Sequence, residues 1–241
     1  FENFNSSSHP NIFHDNRINH IKKNGDFLYL PTEADGLILL NPQELTFKKL
    51  SIDKPLSIAF SNDTTAFLFD TGLLIVKQNN RILFKETTAV GPKASVLIYQ
   101  GDLLFSANKS DIYRINLGNP SERIEIPMPT SRTSGNLILS PRHGVINWNG
   151  WRVFILKNNE FVEHPELIDK TGVSFFDEES SGAIIRIENN TIPHVTLHGN
   201  YYALLFGKDS NLEYRCICRV NENAVFVGTN QGMILVSYQP A

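Results

Sequence analysis

Apolar and polar residues alternate along nearly the whole chain, or apolar residues occur in short bursts bounded by Gly, Asn, Asp or Pro. Both patterns are typical of β-strands. Apolar spacing typical of an amphipathic helix is not sustained over three turns anywhere, and the best helical candidate, residues 165–170, spans only about one turn. A chain of this length without helices must bury its strand faces against other sheets, so the sequence predicts an all-β fold.

A strand, turn, strand unit recurs along the chain. The clearest copies are residues 26–40 and 223–236, each with a Thr before a short polar turn and a Gly after it. Six equivalent positions recur at intervals of roughly 36 to 42 residues, the period of a four-stranded propeller blade. These positions are Phe27, Phe67, Leu103, Val145, Ile184 and Val225. The repeat predicts one six-bladed β-propeller domain spanning residues 1–241.

The two ends of the chain complement each other in this prediction. The last unit runs out after its third strand at about Tyr238, and residues 1–4 precede the innermost strand of the first unit. We therefore expect residues 1–4 to form the outer strand of the last blade and to close the ring by pairing with it. The alternative is that residues 1–9 form a flexible tail, which the serines at positions 6–8 favour.

Charge and hydropathy exclude several classes of partner. The chain has 22 Lys and Arg against 25 Asp and Glu, a net charge of −3, so it lacks the broad positive field that draws proteins to nucleic acid or anionic lipid. No apolar run is long enough for direct membrane insertion. Cys216 and Cys218 cannot build a disulfide framework, and we expect them to be buried thiols in an inner strand.

The motifs of catalysis and of cofactor binding are missing from the sequence. The seven histidines are dispersed, which predicts no metal site. There is no Gly-x-Ser-x-Gly elbow and no Gly-rich phosphate-binding loop. We therefore expect a protein without catalysis, metal or cofactor. The acidic turns leave a propeller enzyme, such as a lactonase or a glycosidase, as an alternative.

Two tryptophans flank an Asn-Gly pair at residues 148–151. Asn-Gly favours a two-residue type I′ turn, which predicts that Trp148 and Trp151 face each other across the mouth of a hairpin. Two interpretations stay open. The indoles pin the strand register by packing against each other, or they contact a sugar or a partner protein.

The turns between second and third strands supply the other candidate contacts. In a propeller these turns lie at the same end as the links between blades, where ligands dock. The side chains that they place there are polar, mildly acidic or aromatic. The predicted ligand- or partner-binding residues are Glu33, Asp35, Asp70, Asn108, Trp148, Trp151, Asn230 and Gln231. They suit a protein or peptide partner, or a small glycan ligand.

Residues 16–21, 27–32 and 35–37, together with residues 225–232, resemble the propeller repeats in the extracytoplasmic sensors of bacterial hybrid two-component regulators. That family builds seven-bladed rings, commonly two in tandem, which detect glycans or other nutrients. The resemblance implies a periplasmic ligand sensor within a longer chain. The alternative is a cytoplasmic scaffold propeller of the WD type that holds a protein partner in a larger complex, although the Trp-Asp and Gly-His dipeptides of WD repeats are missing.

Overall fold

The structure is a computed structural model that describes most of the chain. The described residues are 2–5, 7–14, 17–18, 20–51, 53–90, 94–107, 111–127, 136–140, 142–148, 152–164, 173–178, 184–188, 194–197, 200–203, 212, 214–221 and 223–237. Every regular element within them is a β-strand, which confirms the all-β prediction. None of the described residues belongs to a helix long and apolar enough to cross a membrane.

The strands are numbered in chain order. They are β1 (Glu2–Phe4), β2 (Lys22–Asn24), β3 (Phe27–Thr32), β4 (Gly36–Asn41), β5 (Thr46–Ser51), β6 (Pro55–Ser61), β7 (Thr64–Phe69), β8 (Leu73–Gln78), β9 (Arg81–Thr87), β10 (Ser95–Tyr99), β11 (Leu103–Ala107), β12 (Ile112–Asn116), β13 (Asn119–Ile126), β14 (Asn136–Ser140), β15 (Gly144–Trp148), β16 (Val153–Lys157), β17 (Glu160–Glu163), β18 (Val173–Glu178), β19 (Ile184–Glu188), β20 (His194–Leu197), β21 (Asn200–Ala203), β22 (Tyr214–Asn221), β23 (Ala224–Thr229) and β24 (Gly232–Ser237).

These strands pair into six four-stranded antiparallel sheets within the described part of the chain. Five sheets are simple meanders of consecutive strands: sheet 1 (β2–β5), sheet 2 (β6–β9), sheet 3 (β10–β13), sheet 4 (β14–β17) and sheet 5 (β18–β21). Sheet 6 has the order β1-β24-β23-β22. All six positions of the predicted repeat fall in the second strand of a sheet, so the predicted period is confirmed.

Contacts divide the chain into two compact units. Unit 1 is Phe1–Lys54 together with Thr171–Ala241 and contains sheets 1, 5 and 6. Unit 2 is Pro55–Lys170 and contains sheets 2, 3 and 4.

The first and last strands of the chain meet in sheet 6. Strand β1 pairs antiparallel with β24, with Phe4 opposite Met233. Phe4 is buried, and its ring lies 5.5 Å from that of Phe47 and 6.1 Å from that of Phe226. The predicted pairing of the chain ends is therefore confirmed, and residues 2–4 are not a flexible tail.

Burial falls from the inner to the outer strands of the sheets, with the three-residue strand β2 as an exception. Every residue of β23 is buried, whereas most residues of the outer strands β5, β9 and β13 are exposed or half-buried. Inner strands are covered on both faces, which requires apolar side chains, while outer strands meet water and carry Lys, Arg and Glu. This gradient in burial explains why the repeat can be recognised from the order of apolar and charged residues in the sequence.

The innermost strand of sheet 1 is short, because β2 begins only at Lys22. Ile18 makes a single bridge to Thr32, and its N–H donates to the carbonyl of Thr229 in sheet 6 at 3.0 Å. This segment of the chain therefore contacts two neighbouring sheets of unit 1 instead of pairing continuously with one.

Candidate functional site

The turn between β3 and β4 is closed by a buried threonine. The Thr32 hydroxyl donates to the carbonyl of Gly36 at 2.9 Å and accepts from the N–H of Asp35 at 3.0 Å. Gly36 has a φ of 79°, a backbone conformation that residues other than glycine rarely adopt. This pair of hydrogen bonds closes the turn within the sheet.

The turn between β23 and β24 has the same construction. The Thr229 hydroxyl donates to the carbonyl of Gly232 at 2.9 Å and accepts from the N–H of Gln231 at 3.0 Å. The predicted contact residues Asn230 and Gln231 lie at the tip of this turn and are half-buried. The Thr and Gly that carry the family resemblance thus hold the backbone of both turns, and Glu33, Asn230 and Gln231 between them are half-buried.

Asp35 points into the protein. Its side chain is 2% exposed and accepts hydrogen bonds from the backbone N–H of His14 at 2.7 Å and from His14 Nδ1 at 2.6 Å. Lys49 Nζ donates to the same carboxylate at 2.9 Å. Asp35 thus ties the segment before sheet 1 to the β3–β4 turn and to the outer strand β5.

Glu33, in the same turn, holds two arginines. Arg17 Nη1 donates to Oε2 and Arg215 Nη1 donates to Oε1, each at 2.6 Å. Partial burial alone raises the pKa of Glu33, but the hydrogen bond and charge of Arg215, followed by those of Arg17, outweigh it and lower the pKa below its usual value. The carboxylate therefore stays ionised at neutral pH.

Sequence reasoning missed Arg17 and Arg215. One signal was available, because each arginine directly precedes a residue that the fold buries, Ile18 in one copy and Cys216 in the other. Their shared partner Glu33 lies 182 residues from Arg215, so only the folded chain brings the three together.

The other predicted contact residues are spread over unit 2. Asp70 is exposed in the turn between β7 and β8. Trp148 is the last residue of β15. Asn108 and Trp151 lie outside the described residues. The structure therefore brings together Glu33 and Asp35 in one turn, and Asn230 and Gln231 in another.

The predicted two-residue turn between the tryptophans is wrong. Trp148 pairs with Val153, and Asn147 pairs with Phe154, so four residues connect β15 to β16. A two-residue turn at Asn149-Gly150 requires Trp148 to pair with Trp151. The preference of Asn-Gly for a tight turn is local, whereas the register follows burial of the strand residues, here Val153 and Phe154.

The described residues contain no group of three or more His, Cys, Asp and Glu side chains placed to hold a metal ion. Cys216 and Cys218 are buried free thiols in the inner strand β22, as predicted. Burial, together with the neighbouring Cys218, raises the pKa of Cys216, which keeps the thiol protonated and unreactive.

No protein-family model matches the chain, and no curated protein matches its sequence. Solved structures do match its fold. The WD40 β-propeller domain of Doa1 has a TM-score of 0.65 at 8% identity, covering 94% of this chain and 94% of that one. The Cps50 (Swd1) β-propeller domain of Myceliophthora thermophila has a TM-score of 0.64 at 10% identity, covering 94% and 99%.

Two further structures bear on the sequence resemblance and on binding. The extracellular domain of a hybrid two-component system from B. thetaiotaomicron matches with a TM-score of 0.57 at 15% identity, and the alignment covers 93% of this chain but 33% of that one. YCF48, solved bound to a D1 peptide, matches with a TM-score of 0.62 at 9% identity over 94% of both chains. These matches confirm the β-propeller fold, and they confirm the resemblance to the sensor propellers at the level of fold.

Proposed function

We propose that this propeller is a non-catalytic binding module that holds a protein or peptide partner. The binding surface is the end of the sheets at which second and third strands are joined. In this proposal the six sheets are the blades of one six-bladed ring that forms a single domain over residues 1–241.

One observation carries the proposal: two turns at this end are fixed before any partner arrives. Thr32 and Thr229 close their turns with two hydrogen bonds each. A surface made of preformed turns loses little conformational entropy on association, so more of the contact energy appears as affinity. The polar residues that these turns present suit the hydrogen-bonding groups of a peptide.

The similar structures support a protein or peptide over other ligands. YCF48 was solved with a peptide bound, and two of the other matches are propeller domains of the WD40 protein Doa1 and of Cps50. The proposed contact set remains the one predicted from sequence: Glu33, Asp35, Asp70, Asn108, Trp148, Trp151, Asn230 and Gln231. Within it, Asp35 contributes by orienting His14, whose side chain is 69% exposed.

Two settings suit such a module. The match to an extracellular sensor domain favours a ligand-sensing propeller in a longer regulator, with a small glycan as an alternative ligand. The match to the WD40 β-propeller domain of Doa1 suits the alternative, a scaffold propeller of the WD type. The chain spans 33% of the sensor domain that it matches, so the sensor setting predicts that further domains accompany it.

Parallel screens against a random peptide display library and a glycan array test the proposal. We expect enriched peptides and no glycan signal. The variant Asn230→Ala, Gln231→Ala, at the β23–β24 turn, should weaken binding of the enriched peptides. The control Asp26→Ala, at the opposite end of sheet 1 in the β2–β3 turn, should leave it unchanged. Glycan binding without peptide binding would favour the sensor setting, and binding that depends on Asp26 alone would place the partner at the wrong end.

A further inference from the structure

The outer strand of sheet 2, β9, has an open edge. It is the last strand in the order β6-β7-β8-β9, so no strand in the described part of the chain pairs with its outer side. Backbone N–H and C=O groups along such an edge can pair with an added strand, and several proteins bind extended peptides in this way. A register shift at Leu83 interrupts β9, but residues 84–87 pair regularly with β8. That stretch therefore keeps the spacing that a further strand needs.

Two adjacent apolar side chains of β9 are exposed to solvent. Ile82 is 60% exposed and Leu83 is 41% exposed. The other outer strands whose side chains the structure describes, β5, β13 and β17, carry a single exposed large apolar side chain each: Leu50, Ile124 and Val162. Burial of apolar surface favours association, so β9 offers an added strand more apolar contact than these other edges do.

The charges along β9 indicate what kind of strand it can accept. Arg81 and Lys85 are exposed on either side of the apolar pair, and neither forms an ion pair within the described part of the chain. The acidic side chain of β9, Glu86, is already paired with Arg123 of β13 at 2.8 Å. Opposite charges on neighbouring strands attract each other and like charges repel. The edge therefore suits an acidic strand, and it disfavours pairing with the β9 strand of a second copy.

We propose that β9 accepts an extended segment of a protein partner as an added strand of sheet 2. The segment has a short apolar run with Asp or Glu at both ends. Its apolar residues cover Ile82 and Leu83, and its acidic residues pair with Arg81 and Lys85. Backbone hydrogen bonds along residues 84–87 supply affinity, and the side chains supply specificity. This surface lies on an outer strand and uses none of the turns at the end of the sheets, so the inference goes beyond the proposed function.

The test is selection of random dodecapeptides by display on the folded wild-type chain, followed by fluorescence anisotropy with the enriched peptides. We expect a class of peptides with a short apolar run between acidic residues. The double variant Ile82→Glu, Leu83→Glu should lower the affinity of this class about tenfold or more, because it removes apolar contact and adds charges that repel the peptide. The double variant Arg81→Gln, Lys85→Gln should lower it about threefold or more at low salt, and this loss should shrink as salt is added.

The double variant Ile124→Glu, Val162→Glu is the matched control. Both side chains are exposed on outer strands of unit 2, β13 and β17, so the control adds the same charge as the tested variant at comparable positions. It should leave the affinity within about twofold of wild type. A loss as large as that of the β9 variant would overturn the proposal in favour of a non-specific charge effect.

Methylation of the peptide backbone tests the added strand itself. Successive N–H groups of an extended strand point to opposite sides, so N-methylation of every second residue removes either all of the N–H groups that face β9 or none of them. Of two peptides with complementary sets of N-methyl groups, one should lose binding to the wild-type chain and the other should keep it. An equal effect of both sets rejects strand addition. This result holds even if circular dichroism shows that the β9 variants are unfolded, because the protein is unchanged.

The remaining outcomes separate this inference from the proposed function. Peptides that respond to Asn230→Ala, Gln231→Ala but not to Ile82→Glu, Leu83→Glu overturn strand addition and leave the proposed function intact. The reverse pattern supports strand addition and counts against the turns as the binding surface. No enrichment of peptides at all overturns both.

Discussion

Replacing Gly232 by Ala should detach the N-terminal strand from sheet 6. Gly232 follows the β23–β24 turn and has a φ of 123°, which L-residues rarely adopt. A Cβ at this position would lie 2.3 Å from the carbonyl oxygen of Phe4 and 2.9 Å from Cβ of Asn5. The Phe4 carbonyl oxygen belongs to the backbone of β1, so it can make room for the new Cβ only if β1 shifts away from β24.

The cost has two parts. The backbone conformation alone is unfavourable for alanine by about 1–3 kcal/mol. Displacement of β1 then exposes the buried ring of Phe4, and burial of that ring contributes about 1.5–3 kcal/mol to stability. Together the free energy of unfolding should fall by about 2.5–6 kcal/mol.

Gly25→Ala is the matched control. Gly25 also has a positive φ, 60°, but a Cβ there would meet nothing within 4 Å. The free energy of unfolding of the Gly25→Ala variant should fall by only about 1–2 kcal/mol, which is the cost of the left-handed conformation for alanine. Urea denaturation of both variants measures the difference. Equal losses would refute the reasoning, because they would mean that Phe4 does not pack against the backbone at Gly232.

Three further predictions concern other parts of unit 1. Thr229→Val removes both hydrogen bonds of the β23–β24 turn and should cost about 1–3 kcal/mol in urea denaturation, whereas Thr46→Val on the exposed strand β5 should change stability little. Burial, with a smaller contribution from Lys22, lowers the pKa of His20 to about 3, so below pH 6.5 the unfolded chain binds a proton that the native chain does not. The free energy of unfolding should therefore fall by about 1.4 kcal/mol per pH unit from pH 6 to pH 4, and a pH series that shows the same slope in His20→Gln would contradict this. Cys216 and Cys218 are buried, so a thiol reagent should label them only when denaturant is added, and rapid labelling of the native chain would be inconsistent with the inner-strand placement.

The sheets could be predicted from the sequence because burial repeats with the strands. The repeat positions Phe27, Phe67 and Leu103, predicted from the sequence, lie in β3, β7 and β11, which are the second strands of sheets 1, 2 and 3. Strands that are buried on both faces must be apolar and outer strands need not be, so each repeat shows as a run of apolar residues followed by a more polar one. The pairing of β1 with β24 followed from counting strands in the last unit.

The contacts of the candidate site could not be predicted in this way. Glu33 and Asp35 were expected to face a ligand, and the structure shows that both have partners within unit 1. Those partners lie at sequence separations up to 182 residues, which no local pattern encodes. The tryptophan hairpin failed for the opposite reason, because a local turn preference was given more weight than burial of the strands that follow it.

In the two threonine-closed turns, the residues that fold the turn differ from the residues that are open to contact a partner. Thr32 and Gly36, like Thr229 and Gly232, are used by the turn itself: the hydroxyl bonds to the backbone, and the glycine adopts a positive φ. Any propeller with this turn needs these residues whatever it binds, so a resemblance carried by them identifies the fold and not the ligand. The side chains between them make none of the bonds that close the turn. A substitution at Glu33 should therefore leave the turn closed, and its first effect should be loss of the ion pairs to Arg17 and Arg215.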